Sequence, residues 1–241
     1  MINLLKFFCT KMYGGIRCSD IETVEQMEQW LDGGGHINSP FVSIFSETPL
    51  ILQAIEGNTD VVKYLVKKGA NINIGDEYNI TPFHNICKYG HEDLFDYFVE
   101  KLGVNFDDTR SINFACSNNQ VNIVKKLLNL GVKIDGSVGH GYQAIHHACY
   151  GGGNPDNSVE IVDHLILHGA DLNVQNEQGE TPLHLAVSAG NLKIIEKLLS
   201  MSADTTLVNL ERKTALESLY YNNPHHKEIT ELFNKYITTE Q

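Results

Sequence analysis

The chain has 241 residues, 42% of them apolar, and carries 18 Lys plus Arg against 30 Asp plus Glu, a formal charge of -12. That balance argues against a nucleic-acid partner and against an anionic membrane surface, since both need clustered positive charge. It permits a protein partner with a basic patch, although acidity also serves solubility alone.

Met1 to Met12 carries Ile2, Leu4, Leu5, Phe7 and Phe8, but Lys6 and Lys11 interrupt the run. It is too short for a signal core or a membrane span and reads as a capping helix. Glu25, Met27, Trp30, Leu31, Gly34 and His36-Ile37-Asn38 match Asp60, Val62, Leu65, Val66, Gly69 and Asn71-Ile72-Asn73, 35 residues on. Asp20 to Leu31 is therefore predicted as the second helix of an N-terminal cap, with Glu22, Glu25, Gln26, Glu28 and Gln29 suiting a face without a neighbour.

A single pattern then recurs. Thr48-Pro49-Leu50 precedes Gly57-Asn58 and Val61, Val62 and Leu65; Thr81-Pro82-Phe83-His84 precedes Gly90-His91 and Leu94, Phe95 and Phe98. Degenerate copies start at Arg110 (Ile112, Phe114, Ala115) and at Gln143 (Ala144, Ile145, His146, Ala148). The fullest copy, Thr181-Pro182-Leu183-His184-Leu185-Ala186, precedes Gly190-Asn191 and Ile194, Ile195, Leu198 and Leu199. A last start is Thr214, with Ala215 and Leu216. The starts lie 33, 29, 33, 38 and 33 residues apart. A period of this size marks units that cannot bury a core singly and must stack.

Within the unit 176–208, Thr181 suits an N-cap and Pro182 the first helical position, where no amide is needed. Gly190 suits the left-handed end of that short helix, and Leu192 to Ser200 forms a second with one apolar face. Ile229, Leu232, Phe233 and Tyr236 give a final helix one apolar stripe, as a C-terminal cap needs.

The T-P-L-H start, the G-N or G-H inner turn and the G-A-D-L-N or G-A-N-I-N close resemble the ankyrin repeat over roughly residues 40 to 237. The resemblance implies an all-α repeat solenoid: helix-turn-helix units in one continuous stack, with a hairpin finger between repeats and a concave face of fingers and inner helices. The expected organisation is an N-terminal cap over 1–39, ankyrin repeats over 40–213 and a capping repeat over 214–241. It also implies that His84, His146 and His184 bridge neighbouring repeats. Two irregularities stand out. The 29-residue interval leaves little room for a finger around Asn105 to Arg110, and the 38-residue interval inserts five residues at Tyr150 to Ser158, between two helices.

Catalytic chemistry is not indicated. The three start histidines are separated by whole repeats, and His164 with His168 has a metal-compatible spacing but no third ligand nearby. Gly33-Gly34-Gly35 and Gly151-Gly152-Gly153 are turn glycines rather than phosphate cradles. The expectation is a non-enzyme with no cofactor and no metal. Cys87, Cys116 and Cys149 each fall six residues after a start. Stacked helices lie roughly 8–10 Å apart, beyond the about 7 Å Cα limit of a disulfide, so free thiols and a cytoplasmic location are expected.

Function is then placed on the exposed surface. Positions one to five residues before a start, and seven or eight after it, hold Phe45, Glu47, Ile55, Glu56, Glu77, Tyr78, Ile80, Lys88, Tyr89, Ser117, Asn118, His140, Tyr142, Tyr150, Glu177, Gln178, Glu180, Ser188, Tyr221 and Asn222. Of these, the aromatics with Glu47, Glu56, Glu77, Ile80, Lys88, His140, Glu177 and Glu180 are expected to form an aromatic strip with an acidic rim, suited to a basic protein. The function expected is a monomeric protein-protein interaction module that acts by occupying its partner. Alternatives are a small cytosolic inhibitor, such as a toxin-neutralising immunity protein, and a host-directed effector.

Overall fold

A computed structural model describes residues 12–13, 16–40, 46–106, 108–151, 154–220 and 223–237. The chain divides into two compact units, Met1–Phe106 and Asp107–Gln241. The division falls in the shortened 29-residue interval.

In the first unit, β1 (Met12–Tyr13) pairs antiparallel with β2 (Ile16–Arg17), and a 3-10 turn spans Cys18–Asp20. The expected capping helix lies outside the described residues apart from Met12, which is in β1. Helix α1 (Val24–Asp32) starts later than Asp20 because Thr23 forms a capping box: its hydroxyl accepts the Gln26 amide at 3.3 Å, and Gln26 Oε1 accepts the Thr23 amide at 3.0 Å. Its Met27 and Trp30 are buried. Helix α2 (Pro49–Glu56) packs on α3 (Thr59–Lys67) and on α4 (Pro82–Tyr89), and α4 packs on α5 (Glu92–Asp96). Thr48 and Thr81 cap their helices, and Gly57 and Gly90 close them at φ 76° and 78°, a region that costs other L-residues energy. Helix α5 continues as a π-helical turn, Tyr97–Lys101, which the sequence pattern did not suggest. Phe95 and Phe98, on either side of that join, both face the Phe83 ring, at 5.4 and 6.3 Å.

In the second unit the inner helices are α6 (Thr109–Ser117), α8 (Ala144–Tyr150) and α10 (Pro182–Ala189). Helix α8 packs against both others. The outer helices α7 (Val121–Asn129), α9 (Pro155–Leu167), α11 (Leu192–Ser200) and α12 (His226–Ile237) pack in chain order. Ile194, Ile195, Leu198 and Leu199 of α11 are buried, as their spacing predicts. The stack is all-α apart from the β1–β2 pair and isolated finger bridges.

Two expectations need revision. The 150–158 insertion is not wholly a loop: Pro155 to Ser158 open α9, Asn154 caps them, and α9 reaches 13 residues where α11 has nine. After Thr214 the described residues form no inner helix, only turn. There the Thr214 amide and hydroxyl both bond Glu217 Oε2, at 2.8 and 3.0 Å, but the described chain makes only turns between that start and α12.

Candidate protein-binding surface

Each well-formed finger is folded by one short side chain. Asp76 Oδ1 accepts the amides of Tyr78 and Ile80, both at 2.9 Å. Asn176 Oδ1 accepts those of Gln178 and Glu180 at 2.9 and 2.8 Å, and Asn209 Oδ1 those of Glu211 and Lys213 at 2.9 and 3.1 Å. The tip residue is left-handed in all three: Asn79, Gly179 and Arg212 have φ of 58°, 73° and 59°. The 138–142 finger has Val138 at the Asp/Asn position and instead strings Gly139, His140 and Gly141 at φ 40°, 57° and 77°. Within the second unit the fingers are joined tip to tip. The Glu177 amide donates to the His140 carbonyl at 3.0 Å and the Leu210 amide to the Gln178 carbonyl at 2.9 Å. Gln175 Nε2 adds bonds to the carbonyls of Gly179 and Val208, at 2.7 and 3.0 Å.

Beneath the fingers two of the start histidines, His146 and His184, bridge repeats. His146 accepts the Gln143 amide on Nδ1 at 3.1 Å and places Nε2 3.1 and 3.2 Å from the carbonyls of Val174 and Glu180. His84 accepts the Thr81 amide on Nδ1 at 3.0 Å. Burial holds the His146 pKa below the usual imidazole value, opposed by bonds to those two carbonyls. Next to it, burial and then the neighbouring His146 lower the His147 pKa to about 4, so the ring is neutral at pH 7.

The expected site residues divide by exposure. Tyr78 and Tyr150 are 65% and 57% exposed, and Glu56, Glu77, His140 and Glu177 are also open to solvent. Ile80, Lys88, Tyr89 and Glu180 are half-buried, with the Lys88 ammonium 5.3 Å from the Tyr89 ring centroid. Glu47 is only 4% exposed and Ile55 7%, so neither stands on a rim; both lie against the stack where open surface had been expected. Tyr142 is half-buried too. Its ring lies 5.7 and 5.6 Å from those of His146 and His147. Burial, then the Glu180 charge, raise its pKa, and Asn176 and Glu180 are its side-chain partners. It thus packs into the next finger. Phe45, Tyr221 and Asn222 lie outside the described residues.

Tyr150, Glu177, Glu180 and His140 belong to the second unit; Glu56, Glu77, Tyr78, Ile80, Lys88 and Tyr89 belong to the first. In the second unit a groove of about 660 Å³ runs between Tyr150, Gly151 and Pro155 on one side and Ser188, Gly190, Asn191, Lys193 and His225 on the other. The insertion thus supplies one wall, and Lys193 pairs with Asp156 between the two sides. The sequence reading missed Leu210, 76% exposed on the last finger, and Tyr220, 69% exposed. Repeat register would have found Leu210, which stands four residues before Thr214.

Among the described residues no His, Cys, Asp or Glu cluster could hold a metal ion, and no helix is long and apolar enough to cross a membrane. His168 Nδ1 is instead bonded to the His164 carbonyl at 2.8 Å, closing α9.

Two family profiles match the chain: ankyrin repeats (3 copies) over residues 18–110 and ankyrin repeats (many copies) over 145–199. The mouse B-cell lymphoma 3 protein homolog is 28% identical over 179 residues, covering 70% of this chain and 39% of its own length. Two putative ankyrin repeat proteins of fowlpox virus are 34% and 31% identical; the matches cover 70% and 63% of this chain and 42% and 31% of theirs. The chain thus spans less than half the length of these relatives. With the profiles, the finger-and-helix stack and the histidine bridges in agreement, the chain belongs to the ankyrin repeat family, whose repeats are generally protein-protein interaction modules.

Proposed function

We propose that the chain is a non-enzymatic binding module that holds a partner protein on the surface made by its fingers and inner helices. The observation that carries this reading is the groove of about 660 Å³ beside Tyr150, whose ring is exposed and not needed by the core. A large aromatic next to a concavity is the kind of anchor that dominates binding energy. Glu56, Glu77 and Glu177 stand exposed on the same class of positions, and the net charge is -12. Those charges favour a partner with a basic patch and would speed its approach. The chain acts as a monomer in the cytosol and works by occupying its partner.

The test is affinity capture with wild-type and Tyr150→Ala protein, followed by mass spectrometry and titration of the captured protein. A partner retained by the wild type and lost by the variant supports the reading. A partner bound equally by both sinks it. A second reading, a host-directed effector, draws on the viral proteins among the similar chains. An immunity protein against a toxin remains the inhibitor version, and the identity of the captured protein separates the two.

A further inference from the structure

Asn113 stands three residues after the Arg110 start, the position that His84, His146 and His184 hold in their repeats. It is 1% exposed, and neither its amide nitrogen nor its amide oxygen has a hydrogen-bond partner. The start amide that bonds the histidine elsewhere is taken here: the Arg110 amide donates to Asp108 Oδ1 at 3.0 Å. The other half of the bridge is fixed by register. His146 and His184 reach the carbonyls of Glu180 and Lys213, each one residue before the next start. For Asn113 that residue is Tyr142.

The three carbonyls are otherwise alike. Those of Glu180, Lys213 and Tyr142 each accept one amide from their own finger, from Asn176, Asn209 and Val138, at 3.0, 3.0 and 2.9 Å. A carbonyl oxygen has a second lone pair, which in two of the three joints takes the histidine proton. Asparagine lacks two of the imidazole ring atoms and so stops short of that position. A buried amide left unpaired at both ends is strongly disfavoured, and internal polar sites of this kind are commonly satisfied by ordered water. The facing helix α8 supplies a second orphan, the buried Nε2 of His147, whose ring lies 5.6 Å from that of Tyr142.

We infer that this joint is a binding site for one internal water molecule, which accepts a proton from Asn113 Nδ2 and donates one to the Tyr142 carbonyl. The two absent ring atoms correspond to about the space of one water, roughly 30 Å³ in the liquid. The water replaces in this joint the direct bridge that histidine makes in the next two. The inference rests on the histidine register and is independent of the binding reading.

A crystal structure of the whole chain, at a resolution that shows ordered solvent, tests it. One water within hydrogen-bond distance of both the Asn113 amide and the Tyr142 carbonyl is expected. Asn113→His should expel that water, place the imidazole on the Tyr142 carbonyl and raise the melting temperature by about 2–4 °C. An Asn113 amide bonded directly to protein atoms, a dry joint, or a water that persists beside His in the variant would overturn it. Should the variant fail to fold, the wild-type density decides alone.

Discussion

His184 holds two repeats at once: Nδ1 accepts the Thr181 amide at 3.2 Å while Nε2 lies 3.1 Å from the Lys213 carbonyl, 29 residues on. An amide can only donate, so the proton sits on Nε2 and is given to Lys213. His184→Ala should leave the Thr181 amide without this acceptor, take from the Lys213 carbonyl its second bond, and cost about 1–3 kcal/mol in urea unfolding. An unchanged midpoint would show that the bridge contributes nothing.

The His147 pKa of about 4, against an ordinary 6.5, gives stability a direction in pH. The unfolded chain takes up the proton first, so the contribution is complete above pH 6.5 and is lost as pH falls toward 4. Its size is on the order of 3 kcal/mol. Leu185 occupies the same position in the next repeat, so His147→Leu should fit there and flatten that part of the melting temperature against pH curve. A slope equal to wild type would place the titrating group elsewhere.

The tyrosines should separate into two kinds. Tyr78→Ala and Tyr150→Ala should each weaken partner binding by about 1–3 kcal/mol with little change in melting temperature, because both side chains are exposed. Tyr142→Ala should lower the melting temperature through lost packing on His146 and His147. Glu177→Lys should mainly slow association, more so at low salt, as expected for an exposed charge that steers encounter. Paired measurements of affinity and melting on the same variants check all four.

Cys87, Cys116 and Cys149 form no disulfide and are fully buried, and burial pushes the Cys116 and Cys149 thiols far up. Native protein should react slowly with a thiol reagent at pH 8 and fully once unfolded, since the thiolate is the reactive form. Fast labelling of these three in the native state would contradict the stacking.

Most of the helices were legible in the sequence because their signals act over a few residues. Thr181 and Pro182 start a helix, and the turn of Gly190 ends it, by local geometry. The surface was less legible because exposure depends on the neighbouring repeat. Tyr78, three residues before its start, is exposed, whereas Tyr142, one residue before its start like the half-buried Ile80, has His146, His147 and Asn176 of the next finger around it. Glu47 and Ile55 were misplaced for the same reason. The π-helical turn at Tyr97–Lys101 had no signal at all, since Leu94, Phe95 and Phe98 fit an ordinary α-helical period equally well.

Neighbouring finger tips in the second unit share a single main-chain bond each, Glu177 to His140 and Leu210 to Gln178, whereas the fold of each finger is set by its own Asn176 or Asn209. Side-chain links between the tips are few: the Glu177 carboxylate lies 3.8 Å from the His140 imidazole, Gln175 bonds the Val208 carbonyl, and Glu211 pairs with Lys213 within its own finger. Glu177, Gln178, Leu210 and Glu211 can be randomised together as a library while the asparagines and the bonded backbone stay fixed. The arrangement makes this chain a scaffold whose recognition residues can be rewritten one repeat at a time.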